Sequence, residues 1–268
     1  MAPPKTPKKR PRSYDAAKIR AAVQTQFGNV REAAGTLTPQ QLDAPTRLGE
    51  WTVRDLLAHL SMALGAVDRF LALPVPAKAE KAALDWPFAT AANAPGIADR
   101  SREIAREHPD VNALLAGTEQ RFAENLAATA DTRVLPVQAG PMPFADYLVT
   151  RTVELVVHTD DLNDALPGLG IPYDRQALAA CTRLLADALA AKAPGGSTEV
   201  RIPPFAVVQC VEGPRHTRGT PPNVVETDPL TWVRLATGRT SWATAVDDAL
   251  VSASGERADL SGLLPIMA

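Results

Sequence analysis

The sequence predicts a mainly helical bundle followed by a small α+β domain, and three observations carry that prediction. Apolar residues recur three or four positions apart through the first two-thirds of the chain. Proline and glycine clusters cut that pattern into helix-length pieces. After Ala193-Pro-Gly-Gly-Ser-Thr the chain turns to short β-branched runs. At 268 residues its length suggests two domains, and 46% hydrophobic with 22% charged gives ample apolar material for a real core. Residues 1–13 read as a disordered basic tail, 14–192 as the bundle, 193–198 as a linker and 199–268 as the α+β domain.

Taken in order, Ser13 caps a first helix whose stripe is Ile19, Val23, Phe27 and Val30, ending at Gly35. A loop with Pro39, Pro45 and Gly49 follows. Thr52 and Asp55 then form a capping box, in which each side chain satisfies a free backbone amide at the start of the next helix. Behind it Val53, Leu56, Leu57, Leu60, Leu64, Val67 and Leu71 make the best-defined stripe, up to Pro74. Residues 74–95, with Pro74, Pro76, Pro87 and Pro95, read as a loop packed on the bundle through Trp86 and Phe88. A long helix over about 96–130 is interrupted at Pro109, whose ring removes a donor and disfavours helix just before it. Gly140, Pro141 and Pro143 mark a turn, and helices follow at about 143–166 and 173–192; no strand is predicted up to that point. Beyond the linker, 199–203, 205–211 and 251–254 read as strands and 230–237 and 242–250 as helices, with Pro221, Pro222 and Pro229 interrupting.

Composition excludes several functions. Every long apolar run is broken within about ten residues, short of the ~18–20 that span a bilayer. The amino terminus is basic with no apolar segment behind it, so no secretory signal is expected and a cytoplasmic location is. The net charge of −2 hides a basic start (Lys5, Lys8, Lys9, Arg10, Arg12) on an acidic body. Such a tail suits nucleic acid or anionic lipid, but a solvated start is the plainer reading. Cys181 and Cys210 lie far apart with no CxxC, which argues against a disulfide framework and a cysteine zinc site. There is no GxSxG, P-loop or GxGxxG, and 5% aromatics without a basic helix face argue against sequence-specific nucleic-acid binding.

The four histidines are His59, His108, His158 and His216. A carboxylate four residues before a histidine shares its helix face, which can build a metal site. Three such pairs occur (Asp55–His59, Glu154–His158, Glu212–His216), where 30 acidic residues in 268 give about 0.45 by chance. Asp55 already serves the capping box, and Gly213 and Pro214 interrupt the last pair, so only Glu154–His158 lies deep inside a helix. At ~100° per residue, Tyr147, Arg151, Glu154, His158 and Asp161 share one stripe. A solvated face with i,i+3 and i,i+4 ion pairs explains that stripe equally well. Against it, Val149, Val153 and Val156 occupy the opposite face, as in a buried helix whose polar groups need partners or a metal. His59 lies at the edge of the second stripe, between Leu56 and Ala63. There it reads either as a satisfied core residue or, if the two helices share one bundle, as the third member of a His-Glu-His set with an open coordination position.

These residues carry a resemblance. Trp51-Thr-Val-Arg-Asp-Leu-Leu-Ala-His59, together with Arg151-Thr-Val-Glu154-Leu-Val-Val-His158-Thr-Asp-Asp161-Leu, resembles the mycothiol-dependent maleylpyruvate isomerase family of DinB-like metal-binding bundles over about residues 14–192. The resemblance implies an up-down bundle holding a divalent metal, Zn²⁺ by ligand type, at His59, Glu154 and His158, with mycothiol as the thiol it activates toward an electrophilic substrate. Residues 201–210, 216–239 and 251–265 resemble an actinobacterial sterol-carrier-protein-like domain, and Arg239 matches a functional arginine near the end of the comparable isomerase domain. The stretch His216-Thr-Arg-Gly-Thr-Pro-Pro-Asn belongs to the carrier-like branch and departs from the isomerases. Arg151 or Arg239 is expected to hold a substrate carboxylate in a bidentate contact. Two other readings stay open. One is a non-catalytic binder of an apolar ligand in a cavity lined by Leu230, Trp232, Val233, Leu235, Trp242, Leu263 and Leu264, residues that also suit plain core packing. The other is a DinB-type hydrolase in which the same metal activates water.

Overall fold

The computed structural model describes residues 12–90, 94–213 and 222–267. Helix α1 (Ala16–Ala34) starts two residues later than the sequence suggests, because Asp15, not Ser13, caps it: the Asp15 carboxylate accepts from Lys18 N at 3.1 Å. Helix α2 is one turn (Pro39–Leu42). Helix α3 (Val53–Leu71) begins with the expected capping box: the Thr52 hydroxyl accepts from Asp55 N, and Asp55 Oδ2 accepts from Thr52 N at 2.9 Å. The proline-rich stretch behind it contains a 3₁₀ turn (Ala83–Phe88) that buries Trp86 and leaves Phe88 exposed. The long helix is two: α4 (Ala94–Glu107) and α5 (Val111–Ala128), separated around Pro109, with Asp110 restarting the chain by accepting from Ala113 N at 3.0 Å.

A two-residue ladder, β1 (Val134–Leu135) with β2 (Met142–Pro143), closes the next turn; two residues are too few to register as alternation in sequence. Helices α6 (Phe144–Ala165) and α7 (Arg175–Lys192) follow. In the bundle α1 packs on α5 and α6, α3 packs on α5 and α6, α4 lies on α3, and α7 covers α1 and α6. Among the described residues no helix is long and apolar enough to cross a membrane.

The carboxy-terminal sheet has the order β4-β3-β5-β6, from β3 (Thr198–Ile202), β4 (Ala206–Cys210), β5 (Val224–Thr227) and β6 (Val251–Ser254). The central β5, parallel to β3 and antiparallel to β6, is missing from the sequence reading because prolines bracket its four residues. Helices α8 (Pro229–Ala236) and α9 (Trp242–Asp247) complete the unit, α9 ending earlier than expected, before Ala249 at φ 56°. Val200, Ile202, Ala206, Val208 and Cys210 are buried while Val207 and Gln209 are exposed, so one sheet face is covered and the other open.

The core is continuous from Ile19 to Ile266, with α7 packed on α6, β4 and α8. The Pro194-Gly-Gly stretch is a tight junction: Val211 N donates to Ala193 O at 2.9 Å and Ser197 N to Val211 O at 3.1 Å. A Cβ on Gly195 would stand 1.9 Å from Val211 O, so only glycine fits. Trp232, Val233, Leu235, Trp242, Leu263 and Leu264, considered above as cavity walls, lie in or against this core, and Leu230 is only partly buried. Residues 1–11 of the basic tail, and His216 with most of its carrier-like stretch, lie outside the described residues.

Candidate metal centre

Helix α6 is buried nearly all round, and its polar stripe points inward: Tyr147 is buried, Arg151 is 4% exposed and Asp161 fully buried. The solvated-face reading of that stripe is therefore overturned. The reason is packing on several sides, by α1, α3 and α7. Across from it, α3 turns His59 off its leucine stripe and into the same space, 5% exposed, with Trp51 stacked at 5.2 Å between ring centroids.

His59 Nε2 lies 3.3 Å from Glu154 Oε2, and His158 Nε2 lies 3.4 Å from the same oxygen; the two imidazoles meet edge to face at 4.7 Å. Among the described residues this is the one group of three or more His, Cys, Asp or Glu whose ligand atoms converge, all within 4.8 Å of one another. The two nitrogen–oxygen separations are long for hydrogen bonds, whose usual range is ~2.7–3.2 Å. They match the edge of a tetrahedron with metal–ligand bonds of about 2.0–2.1 Å, roughly 3.3 Å.

The far nitrogens are engaged. His158 Nδ1 donates to Asp161 Oδ2 at 2.8 Å. His59 Nδ1 lies 3.4 Å from Ser101 Oγ on α4, and that hydroxyl itself donates to Ile97 O, which leaves its oxygen to accept. Asp161 thus keeps a proton on His158 Nδ1 and turns Nε2 to the shared point, the arrangement that orients histidine toward a metal, while Ser101 stands on the Nδ1 side of His59.

Electrostatics follow from this geometry. Burial lowers the pKa of His59 below its ordinary value. Burial acts the same way on His158, but its hydrogen bonds to Asp161 and Glu154 outweigh it and raise the value. Burial pushes the Glu154 carboxyl up, yet Arg151, His158 and His59 hold it well below the usual carboxylate range. Asp161 is likewise held low against burial, by His158 and then Arg239. Once His158 gives up its second proton, two imidazole nitrogens and a carboxylate form a hard-to-borderline donor set that suits a divalent cation.

Arg151 lies beside the set, its Nη1 3.5 Å from Glu154 Oε1 and its guanidinium between Tyr147 and Trp86 at 4.5 and 5.4 Å from the ring centroids. Arg239 arrives from the turn after α8 and is already committed, Nη2 to Asp161 Oδ2 at 2.9 Å and Nη1 to Thr237 O at 2.9 Å. Asp55 stays in its capping box, outside the converging set. Ser101, Arg47 and the hydrogen-bonding of Asp161 escaped the sequence reading. The His158–Asp161 spacing of three was a signal available for the last; nothing in the sequence pointed to the others. Both cysteines are buried: burial raises the Cys181 thiol and pushes Cys210 up to about 11.

The family described as the mycothiol maleylpyruvate isomerase N-terminal domain matches residues 23–163, and the family described as a bacterial SCP ortholog matches residues 174–266. The second range takes in α7, the helix that packs on both parts. A crystal structure of the mycothiol-dependent maleylpyruvate isomerase superposes with a TM-score of 0.60 at 14% identity, covering 92% of this chain and 95% of that one. A histidine-to-alanine mutant of that isomerase gives 0.59 at 14% identity over the same shares. At that identity the likeness establishes the fold. A sequence search of curated proteins found no match.

Proposed function

We propose, because this chain belongs to the family of the mycothiol maleylpyruvate isomerase N-terminal domain, that it is a metal-dependent enzyme using a small-molecule thiol, mycothiol, on an electrophilic carboxylate substrate such as maleylpyruvate. The observation that supports this reading most is the convergence of His59 Nε2, Glu154 Oε2 and His158 Nε2, with Asp161 accepting the His158 proton on the far side. A divalent cation held there, Zn²⁺ by ligand type, supplies the Lewis acidity that lowers a thiol's pKa and keeps it as thiolate at neutral pH.

The chain's own residues do the rest. His59, Glu154 and His158 fill three positions, which leaves one for the thiol. Asp161 keeps the His158 proton on Nδ1, and Trp51 shields His59 from one side. Arg151 is the side chain suited to a substrate carboxylate: its nearest polar contacts are long, 3.1–3.5 Å, so an incoming carboxylate can better them with a charge-assisted pair. Arg239 would have to release Asp161 to do the same, and its part in the site is indirect. The buried cysteines fit a thiol supplied from outside.

Metal analysis of the purified protein, with isomerase turnover measured with and without mycothiol, tests this. The expected result is about one divalent metal per chain, lost in His158→Ala, and turnover that requires the thiol. Metal-free wild type would sink the reading, and metal-dependent hydrolysis without thiol would replace it with the water-activating one.

A further inference from the structure

Asp160 and Asp161, consecutive and buried near the end of α6, gather three arginines from three separate segments. Asp160 accepts from Arg47 Nη2 at 2.5 Å, from Arg234 Nη2 at 2.6 Å and from the Tyr173 hydroxyl at 3.0 Å. Asp161 accepts from Arg47 Nε at 2.6 Å and Arg239 Nε at 3.2 Å on Oδ1, and from Arg239 Nη2 at 2.9 Å and His158 Nδ1 at 2.8 Å on Oδ2. A carboxylate offers about four lone-pair sites, so Asp161 is saturated and neither of its oxygens can turn away. Only one of the two aspartates touches a residue of the metal centre.

We propose that Arg47 and Arg239 are positioning residues for the metal ligand His158, acting through Asp161. Resting on the metal reading above, this assigns the carboxy-terminal domain a part in the site that needs no contact with substrate. Arg47 comes from the loop between α2 and α3, and Arg239 from the turn after α8. Together the two guanidiniums fix the plane of the Asp161 carboxylate, hence the proton on His158 Nδ1, hence the direction of the Nε2 lone pair. Arg234 joins the same junction between domains but touches only Asp160. The fold thereby contains its own control.

The test is Co²⁺ titration of the full-length, chelator-stripped protein, read by the visible spectrum and by competition with a chromophoric chelator, alongside thermal unfolding. Arg47→Gln and Arg239→Gln are expected to weaken Co²⁺ binding about 10–100-fold, the usual cost of losing an outer-shell partner, and to change the spectrum. Arg239→Lys, which keeps the charge without the fork, is expected to recover part of that loss. Arg234→Gln is expected to lower the unfolding temperature comparably while binding Co²⁺ as wild type does. If a glutamine variant does not fold, Arg47→Lys and Arg239→Lys carry the comparison, each expected weaker than wild type. Wild-type Co²⁺ binding in the Arg47 and Arg239 variants overturns the proposal, and so does an equal loss in Arg234→Gln. Wild type that takes up no Co²⁺ overturns the metal reading and this inference with it.

Discussion

At the scale of single residues, the proposed metal reading sets protons and a cation in competition for the same nitrogens. Imidazole must be neutral to bind, and folding moves the two histidines in opposite directions. In the metal-free protein, His158 contributes stability that is complete below about pH 6.5 and lost as pH rises through its raised value. His59 has the reverse sign: the folded state resists its protonation, so stability falls as pH drops below about 6.5. Glu154 and Asp161, both held low, contribute above about pH 4 and lose that contribution on further acidification. Metal affinity is therefore expected to climb from pH 6 upward and level off above the His158 value; a Zn²⁺ competition series that stays flat would refute it. Asp161→Asn keeps the shape of the side chain but removes the charge that faces Arg47 and Arg239. It is expected to cost about 3 kcal/mol in urea unfolding at pH 7 and to weaken metal binding about 10–100-fold.

Among the elements, α3 and α6 carry the three converging side chains, and they were the most legible in sequence for a shared reason. Each is long, strongly patterned and bounded by local signals: the Thr52–Asp55 box for one, the Pro143 and Gly168 breaks for the other. Thr52→Ala removes one of the box's two bonds seven residues ahead of His59. The expected cost is ~1 kcal/mol, a fall of about 2–4 °C in Tm, with metal stoichiometry unchanged, read by calorimetry and metal analysis. What sequence could not show was direction. Periodicity placed Tyr147, Arg151, Glu154, His158 and Asp161 on one stripe, yet could not say whether that stripe met water or protein, since only the tertiary arrangement of α1, α3 and α7 decides it. The Ser101 contact and the Arg47 bridge arise from segments with no pattern of their own, and β5 hid between prolines because pairing on both sides, not propensity, makes it a strand.

For the molecule as a whole, the core that runs through both parts predicts that they unfold together. Trp51 and Trp86 report from the bundle and Trp232 and Trp242 from the α+β part, so denaturation followed through single-tryptophan variants of each is expected to give one coincident transition; two separated midpoints would contradict it. Leu185→Ala, in the middle of α7, is expected to destabilise both reporters together by about 2–5 kcal/mol. Gly195→Ala, which drives a methyl into the Val211 carbonyl, is expected to lower the same midpoint although it lies at a surface junction. The sealed cysteines bear on chemistry outside the fold. On the proposed function an electrophilic substrate could alkylate exposed thiols, and here Cys181 and Cys210 are buried, with burial raising both thiols. Iodoacetamide applied to the native protein is expected to leave both unmodified by mass spectrometry while consuming any free thiol in solution. On the proposed thiol-dependent reaction, such a reagent consumes the nucleophile and spares the protein, and fresh thiol added after the reagent is removed is expected to restore turnover.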